Sequence, residues 1–479
     1  MMIRHRKSGL SAPFRAMALV GLSSLTGCTT VISPFTAPAM SLPAAFRSTD
    51  TTGANAATSA GSPATLGDLG WREVYTEEPL RQLIAEALAA GPEALLAAAR
   101  LREAQAIAGA VRGGSLPQAG VALNTSPIAK QPGQSLSSTF LGGLTVSWEL
   151  DLWGRYAAAT EAARADVMAR TASRHAVQAS LVANTASLYY QIASLNEVLA
   201  VTETAVKNQG EVLRLVRQMS AAGVASAAEE RQQESVLSST RTRLPALRRQ
   251  IAEAQTALAV LVGRIPGSVT TIGPANPQPP VTPPAGLPSS LLERRPDLQQ
   301  ANAQMLGANA RLNEAKAKFY PDISLTAVLG GVSTSLSNLL TGSAATVASL
   351  GPSLLLPLYS GGTLQANEAV ALARLDQAII SYRKVVLAAF GEVADSLSAL
   401  EISAELMTLQ QQRVTASREV LRLAELRFKA GTTGFVEVLD AQRQLLSAET
   451  DQVQSLLERR LSLGRLYLAL GGGWAATAP

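Results

Sequence analysis

The sequence repeats itself at a fixed offset of 208 residues, and the repeated stretch is longer than an ordinary globular element needs. Glu211-Val212-Leu213-Arg214-Leu215 returns as Glu419-Val420-Leu421-Arg422-Leu423. Ala222-Gly223 returns as Ala430-Gly431, Gly154 as Gly362 and Gly263 as Gly471. The offset holds without a slip across the repeat, so the chain carries two copies of one unit. No proline occurs from Gly133 to Leu244, and the stretch from Gly154 onward has the character of a helix. A turn at Gly223 sends it back toward Gly263, which makes each unit a long helical hairpin. One arm, Gly154 to Ser220, holds 67 residues. At a rise of about 1.5 Å per residue it is roughly 100 Å long, which suits a tube crossing a wide aqueous compartment. Leu199, Val206 and Leu213, like Met407, Val414, Leu421 and Phe428, recur every seven residues. That spacing is coiled-coil packing, here in the wall of the tube.

A shorter helical stretch precedes each long hairpin, at an offset of 204: Pro92 matches Pro296, Ala104 matches Ala308 and Pro117 matches Pro321. Pro79 to Ala90 is amphipathic, and Glu93 to Val111 forms a second helix after the break at Gly91-Pro92. Between the short helix and the hairpin the texture changes. Val146, Trp148, Leu150 and Leu152 alternate with Ser147, Glu149 and Asp151, the period of a strand with one apolar face. Ile323, Leu325, Ala327 and Leu329 alternate more weakly, while Val121 with Leu123, and Leu354 with Leu356 and Leu358, mark two further strands. The Gly- and Ser-rich segments Pro127–Ser138 and Gly330–Ala348 are read as loops, and Pro352 and Pro357 predict a short or irregular last strand.

Each copy thus contributes one β-hairpin, about 118–152 and about 322–359, followed by a helical hairpin, 154–263 and 362–470. The expected strand length of about 8–11 residues is that of a tilted membrane strand. Four strands do not close a barrel, and an open sheet edge in lipid costs several kcal/mol per unpaired backbone group. The strands are therefore expected to be shared between chains, three of which give twelve in a cyclic assembly. No run of about 18 apolar residues for a membrane helix is read after the leader.

The remaining segments are organised around these copies. Residues 1–27 have a basic start and an apolar run from Ala16 to Leu25, the pattern of a secretory leader. The leader ends Leu25-Thr26-Gly27-Cys28, and Cys28 is the only cysteine. Removing the leader takes away four of the 41 basic residues and leaves a near-neutral chain against 36 acids, which gives no reason to expect nucleic acid. Residues 28–67 form an Ala/Ser/Pro-rich tether. The first repeat is placed at 68–265, a proline-rich crossover at 266–290, the second repeat at 291–474 and a tail at 475–479. Ser289-Ser290 is read as the cap of the helix opening the second repeat.

Leu-x-Gly-Cys resembles the bacterial lipoprotein box. It implies a diacylglycerol thioether on Cys28, an acylated amino terminus such as palmitate, and, with Thr29 following in place of aspartate, sorting to the outer membrane. No other cofactor is expected. Trp148-Glu149-Leu150-Asp151-Leu152-Trp153-Gly154-Arg155, Glu293-Arg294-Arg295-Pro296-Asp297, Leu439-Asp440-Ala441-Gln442-Arg443 and the ending Ala469-Leu470-Gly471-Gly472-Gly473-Trp474 occur in order on the duplicated frame. In this combination the chain resembles the TolC/OprM-like outer membrane factors, in the lipoprotein branch that serves resistance-nodulation-division efflux pumps.

The resemblance implies a mainly α fold with transmembrane β structure. It also implies a homotrimer: a trimeric α-barrel of long helical hairpins below a twelve-stranded β-barrel in the outer membrane. A periplasmic adaptor and an inner-membrane transporter are the expected partners, and the turns at Gly223 and Gly431 the docking tips. No reaction is catalysed. Asp440 and Arg443 match residues that close the periplasmic end of OprM-like channels, Val436 matches the apolar member of that closure, and Glu437 matches an acidic constriction. Phe428 sits beside them. Read from the residues alone, Glu437, Asp440 and Arg443 share one helix face, which equally describes a solvated face with an intrahelical Asp440–Arg443 pair. The first copy has Gln232 and Ser235 where the second has Asp440 and Arg443, and only Glu229 matches Glu437. His5 leaves with the leader, and His175 is expected to be a surface or packing residue. A protein-secretion channel of the same family stays open as an alternative. A periplasmic adaptor lipoprotein is the weaker rival, because it would show one hairpin flanked by compact β-domains.

Overall fold

A computed structural model describes residues 66–128, 137–267, 272–273 and 294–474. The leader, Cys28, nearly all of the tether, the Ser289-Ser290 cap, most of the proline-rich crossover and the tail after 474 lie outside the described residues. Helices α1 (Trp71–Val74), α2 (Glu78–Ala90) and α3 (Pro92–Gly114) lead to strands β1 (Gln118–Ile128) and β2 (Ser137–Leu150). The first long hairpin is α4 (Arg155–Ala221) with α5 (Ala227–Val262). Helix α6 (Pro296–Ala317), strand β3 (Asp322–Ser333), the short α7 (Leu336–Leu340) and strand β4 (Ala345–Leu355) follow. The second hairpin is α8 (Thr363–Lys429) with α9 (Phe435–Ala469). The fold is mainly α with one antiparallel four-stranded sheet.

Helices α4 and α8 hold 67 residues each. Their shared origin is visible in their ends: Gly154 and Gly362 precede them at φ 77° and 84°, and Gly223 and Gly431 follow at φ 75° and 71°. Only a residue without Cβ takes this left-handed turn at little cost. The chain divides into two compact units, one drawn from Glu103–Met168 and Ala303–Ile380, the other from the remaining described residues. Each unit uses both copies of the repeat.

The first unit holds the sheet, a meander in the order β1-β2-β3-β4. The registers set Val121 opposite Leu144, Leu144 opposite Leu329, Trp148 opposite Leu325 and Ala327 opposite Leu350. Opposed residues share a face, so one face collects Val121, Leu123, Leu144, Val146, Trp148, Ile323, Leu325, Leu329, Leu350 and Leu354. The other collects Asn124, Thr145, Ser147, Glu149, Ser324, Thr326, Ser349 and Ser353, interrupted by Leu141, Val328, Val332, Val347 and Leu355. Ser324 and Ser353 hydroxyls meet there at 2.6 Å.

Three sequence expectations are corrected here. The strands hold 11, 14, 12 and 11 residues, so β2 and β3 are longer than the expected range. The last strand is neither short nor irregular. It pairs with β3 through its whole length, with Pro352 opposite Leu325. Proline is tolerated because the ladder to β3 runs on through Pro352 without needing its missing N–H; Leu356, Pro357 and Leu358 lie beyond its end. The supposed loop Gly330–Ala348 is mostly ordered, as the end of β3, the single helical turn α7 and the start of β4.

The second unit packs its core around Trp71, Leu80, Ile84, Val182, Ile192, Leu258, Val262, Leu466 and Tyr467. Tyr467 crosses Tyr75 edge-on at 6.2 Å and donates its hydroxyl to the Leu69 carbonyl at 2.8 Å. Arg264 meets Glu86 at 2.5 and 2.6 Å, fixing the end of α5 to α2. By length and composition alone Glu78–Gly114 would pass as a membrane helix, contrary to the expectation that no such run follows the leader. It is two helices parted at Gly91: Leu80, Leu83, Ile84 and Ala87 of α2 are buried in this core, whereas Leu95, Leu96 and Ile107 of α3 are exposed.

Candidate functional site

The strand-to-helix junction of the first copy explains its conspicuous phrase residue by residue. The Trp148 indole donates to the Ser115 carbonyl at 3.0 Å, and the Trp153 indole donates to the Pro321 carbonyl at 2.8 Å while stacking on Tyr320. Asp151 accepts from the Tyr156 and Ala157 amides at 3.0 and 2.7 Å, so its carboxylate satisfies the first turn of α4 and complements the positive end of that helix. Glu149 binds Arg155 and the Tyr156 hydroxyl. These contacts tie β2, β3 and α4 into one corner. At the equivalent corner of the second copy, the Leu364 amide donates to the Ser360 hydroxyl over a long 3.5 Å and the Thr363 amide to the Ser360 carbonyl at 3.2 Å, and Leu358 and Tyr359 are exposed.

The two tips differ in the same way. In the first, Ser226 and Glu229 form a reciprocal capping box at the start of α5. In the second, Gly434 replaces the serine and offers no side-chain cap. Glu437, the counterpart of Glu229, is thereby released from capping and faces Arg427 across the turn at 3.7 Å. Sequence reasoning missed Arg427, because the pairing depends on how α8 and α9 are set against each other. The Ser-x-x-Glu signal at 226–229 was readable.

Helix α9 then presents two faces. Phe435, Val438, Leu439 and Gln442 are buried, while Val436, Glu437, Asp440 and Arg443 are exposed. The expected site residues therefore do share one face. Arg443 donates to Asp440 at 2.8 Å, and Gln444 donates to the other carboxylate oxygen at 2.8 Å. Phe428 lies on the inner side and packs on Phe435 with ring centroids 5.0 Å apart. Gly223 and Gly431 occupy the two turns. Replacing both with valine will force β-branched residues into the left-handed region, and loss of cooperative helix melting in circular dichroism near the tips checks it. The expected cost is about 1–3 kcal/mol per turn.

His175 is a packing residue: it stacks on Trp474 at 4.6 Å, and burial, with Arg174 nearby, lowers its pKa. Among the described residues no group of three or more His, Cys, Asp and Glu is placed to hold a metal ion.

Comparison with known proteins places this geometry. Residues 83–264 and 287–472 match the family model described as "Outer membrane efflux protein". The chain is 32% identical over 417 residues to "Probable efflux pump outer membrane protein TtgC" of Pseudomonas putida, with 85% of each chain covered. It is 29% identical over 467 residues to "Cation efflux system protein CusC" of Escherichia coli, covering 97% of this chain and 99% of that one. Among solved structures, the open state of the Neisseria gonorrhoeae MtrE outer membrane channel superposes with a TM-score of 0.81 at 30% identity, covering 93% of this chain and 99% of that one.

Proposed function

The chain belongs to the outer membrane efflux protein family, and on that premise we propose that three copies of it form the passive exit duct of a tripartite efflux pump. A periplasmic adaptor and an inner-membrane transporter of the resistance-nodulation-division type dock at the Gly223 and Gly431 turns, and the transporter supplies the energy. The observation that carries this reading is the sheet. One of its faces is apolar from β1 to β4, with Val121 87% and Leu350 71% exposed. Among the described residues the same sheet leaves β1 and β4 without an outer neighbour. An apolar face of this breadth favours hydrocarbon over water, and hydrocarbon does not tolerate open edges. Pairing β4 of one chain with β1 of the next removes both edges when three chains close the ring.

The test is reconstitution. Purified protein will run as a three-chain species after crosslinking and give stepwise conductance in planar bilayers. A monodisperse single chain without conductance overturns the reading.

The gate belongs to the same proposal. Around the three-fold axis, Val436 forms an apolar ring, and Glu437 and Asp440 form rings of three carboxylates each. Such rings favour cations. Pairing with Arg443 keeps the tips together until the adaptor separates them.

Cys28 is the proposed lipid anchor. Its several acyl chains contribute about 0.8 kcal/mol per buried methylene, which adds a stable attachment beside the barrel. Labelled palmitate will be incorporated into the wild-type protein and not into Cys28→Ser, while the variant keeps its conductance. Equal labelling of the two would remove Cys28 from the proposal.

A further inference from the structure

Gly142 and Gly331 face each other across the β2–β3 ladder, and one side chain fills the space that both leave. A Cβ added at Gly142 would meet Leu339 Cδ2 at 2.7 Å and Leu123 Cδ1 at 3.3 Å. One added at Gly331 would meet Ala344 Cβ at 3.0 Å and Leu339 Cδ2 at 3.8 Å. The glycine pair is a notch, and Leu339 of α7 is seated in it. Gly142 stands opposite Leu123, so the notch opens on the apolar face of the sheet, the face of Val121 and Leu144. Strand β3 is entered from α6 and β4 leaves into α8, which puts α7 at the end of the sheet remote from those two helices.

A loop bound for water has no reason to lie on an apolar face. Leu336 and Leu340 are one turn apart and share a side of α7, yet they are 41% and 80% exposed. No charged residue occurs between Asp322 and Glu368. The polar groups of the turn are spent on one another. The Ser335 and Ser337 hydroxyls meet at 2.7 Å. Thr341 donates both its amide and its hydroxyl to the Ser337 carbonyl at 3.0 Å, and the Ser343 amide donates to the Asn338 carbonyl at 3.1 Å. Backbone beside hydrocarbon has to be satisfied internally, and this turn meets that demand at its carboxyl end without water.

We propose that α7 is a membrane-contact turn. Leu339 pins it to the lipid side of the sheet, and Leu336 and Leu340 enter the acyl chains at the border of the bilayer farther from the helices. The occupant is lipid because α7 lies on, and continues, the uncharged apolar face that the sheet turns to the membrane. A turn on that side stands outside the pore, so it leaves the lumen unobstructed. The proposal rests on the duct reading above, in which that face meets lipid.

The test uses full-length single-cysteine chains in a Cys28→Ser background, which leaves no other thiol. Each carries a bimane label and is reconstituted in vesicles of phosphatidylcholine with brominated acyl chains. The label at Leu340→Cys will lose most of its emission to the brominated lipid and resist aqueous iodide. The label at Asn338→Cys, on the opposite side of α7, will do the reverse. Leu339→Ala empties the notch, and the Leu340 label will then respond to iodide as the Asn338 label does. Lipid quenching that persists in Leu339→Ala overturns the notch as the anchor. A label at Val121→Cys, within the apolar face, reports on the sheet itself. Lipid quenching at Val121 with iodide quenching at Leu340 overturns the membrane contact of α7 alone. Absence of lipid quenching at Val121 removes the duct reading, and the proposal with it.

Discussion

Gly330→Val will leave the protein unable to insert as a channel, while Gly120→Val on the same face of the same sheet will insert normally. A Cβ at Gly330 would lie 2.3 Å from the Gly142 carbonyl oxygen and 2.7 Å from the Gly143 Cα. The converse holds for Gly143, whose Cβ would lie 2.4 Å from both the Gly330 Cα and the Leu329 carbonyl oxygen. These obstacles are backbone, so no rotamer change relieves them. The two residues are register partners within the β2–β3 seam, where the hairpins of the two copies join. Separating those strands breaks the ladder in mid-sheet, and a cost above about 4 kcal/mol is expected. By propensity alone valine is the better strand residue, so the sign of the effect tests the close approach directly. At Gly120 an added Cβ meets nothing within 4 Å. The measurement is the share of protein recovered as heat-modifiable oligomer in outer-membrane fractions. Normal assembly of Gly330→Val would show that the strands are farther apart than described.

Asp440→Ala with Arg443→Ala will raise the closed-state conductance severalfold without changing thermal stability measurably. The pair is exposed and intrahelical at 2.8 Å, and such pairs contribute only about 0.3–0.5 kcal/mol to folding. A structural role would therefore move neither stability nor conductance much. A closing role moves conductance alone, because the variant removes both the carboxylate ring and the arginines that hold it. Val436, Glu437 and Phe428 remain, so the expected product is a leaky channel and not an open one. Single-channel recording in planar bilayers checks it. Unchanged closed-state current would leave Asp440 and Arg443 as a solvated helix pair.

Much of the helical scaffold was readable because its signals are local and doubled. Gly223, Gly263 and Gly431 mark turns through backbone conformation, and the seven-residue spacing ending at Leu213 and Phe428 marks the buried stripe. Strand β2 was readable through the alternation about Trp148. Strand β4 was misjudged because Pro352 interrupts a ladder only where its missing N–H would face the partner strand, a topological fact that local sequence does not carry. Helix α7 hid among serines and leucines read as loop. At the tips, shared exposure of Glu437, Asp440 and Arg443 followed from helical spacing. The engagement of Glu437 with Arg427 did not, since it needs the mutual setting of two helices.

The two unsatisfied borders of the sheet have a genetic consequence. If a ring closes only when every chain offers a sound β1 to one neighbour and a sound β4 to the other, a single faulty subunit spoils the whole assembly. In a cell making intact and border-damaged chains together, working pores should fall as the cube of the intact fraction. A damaged allele would then be dominant over a normal one.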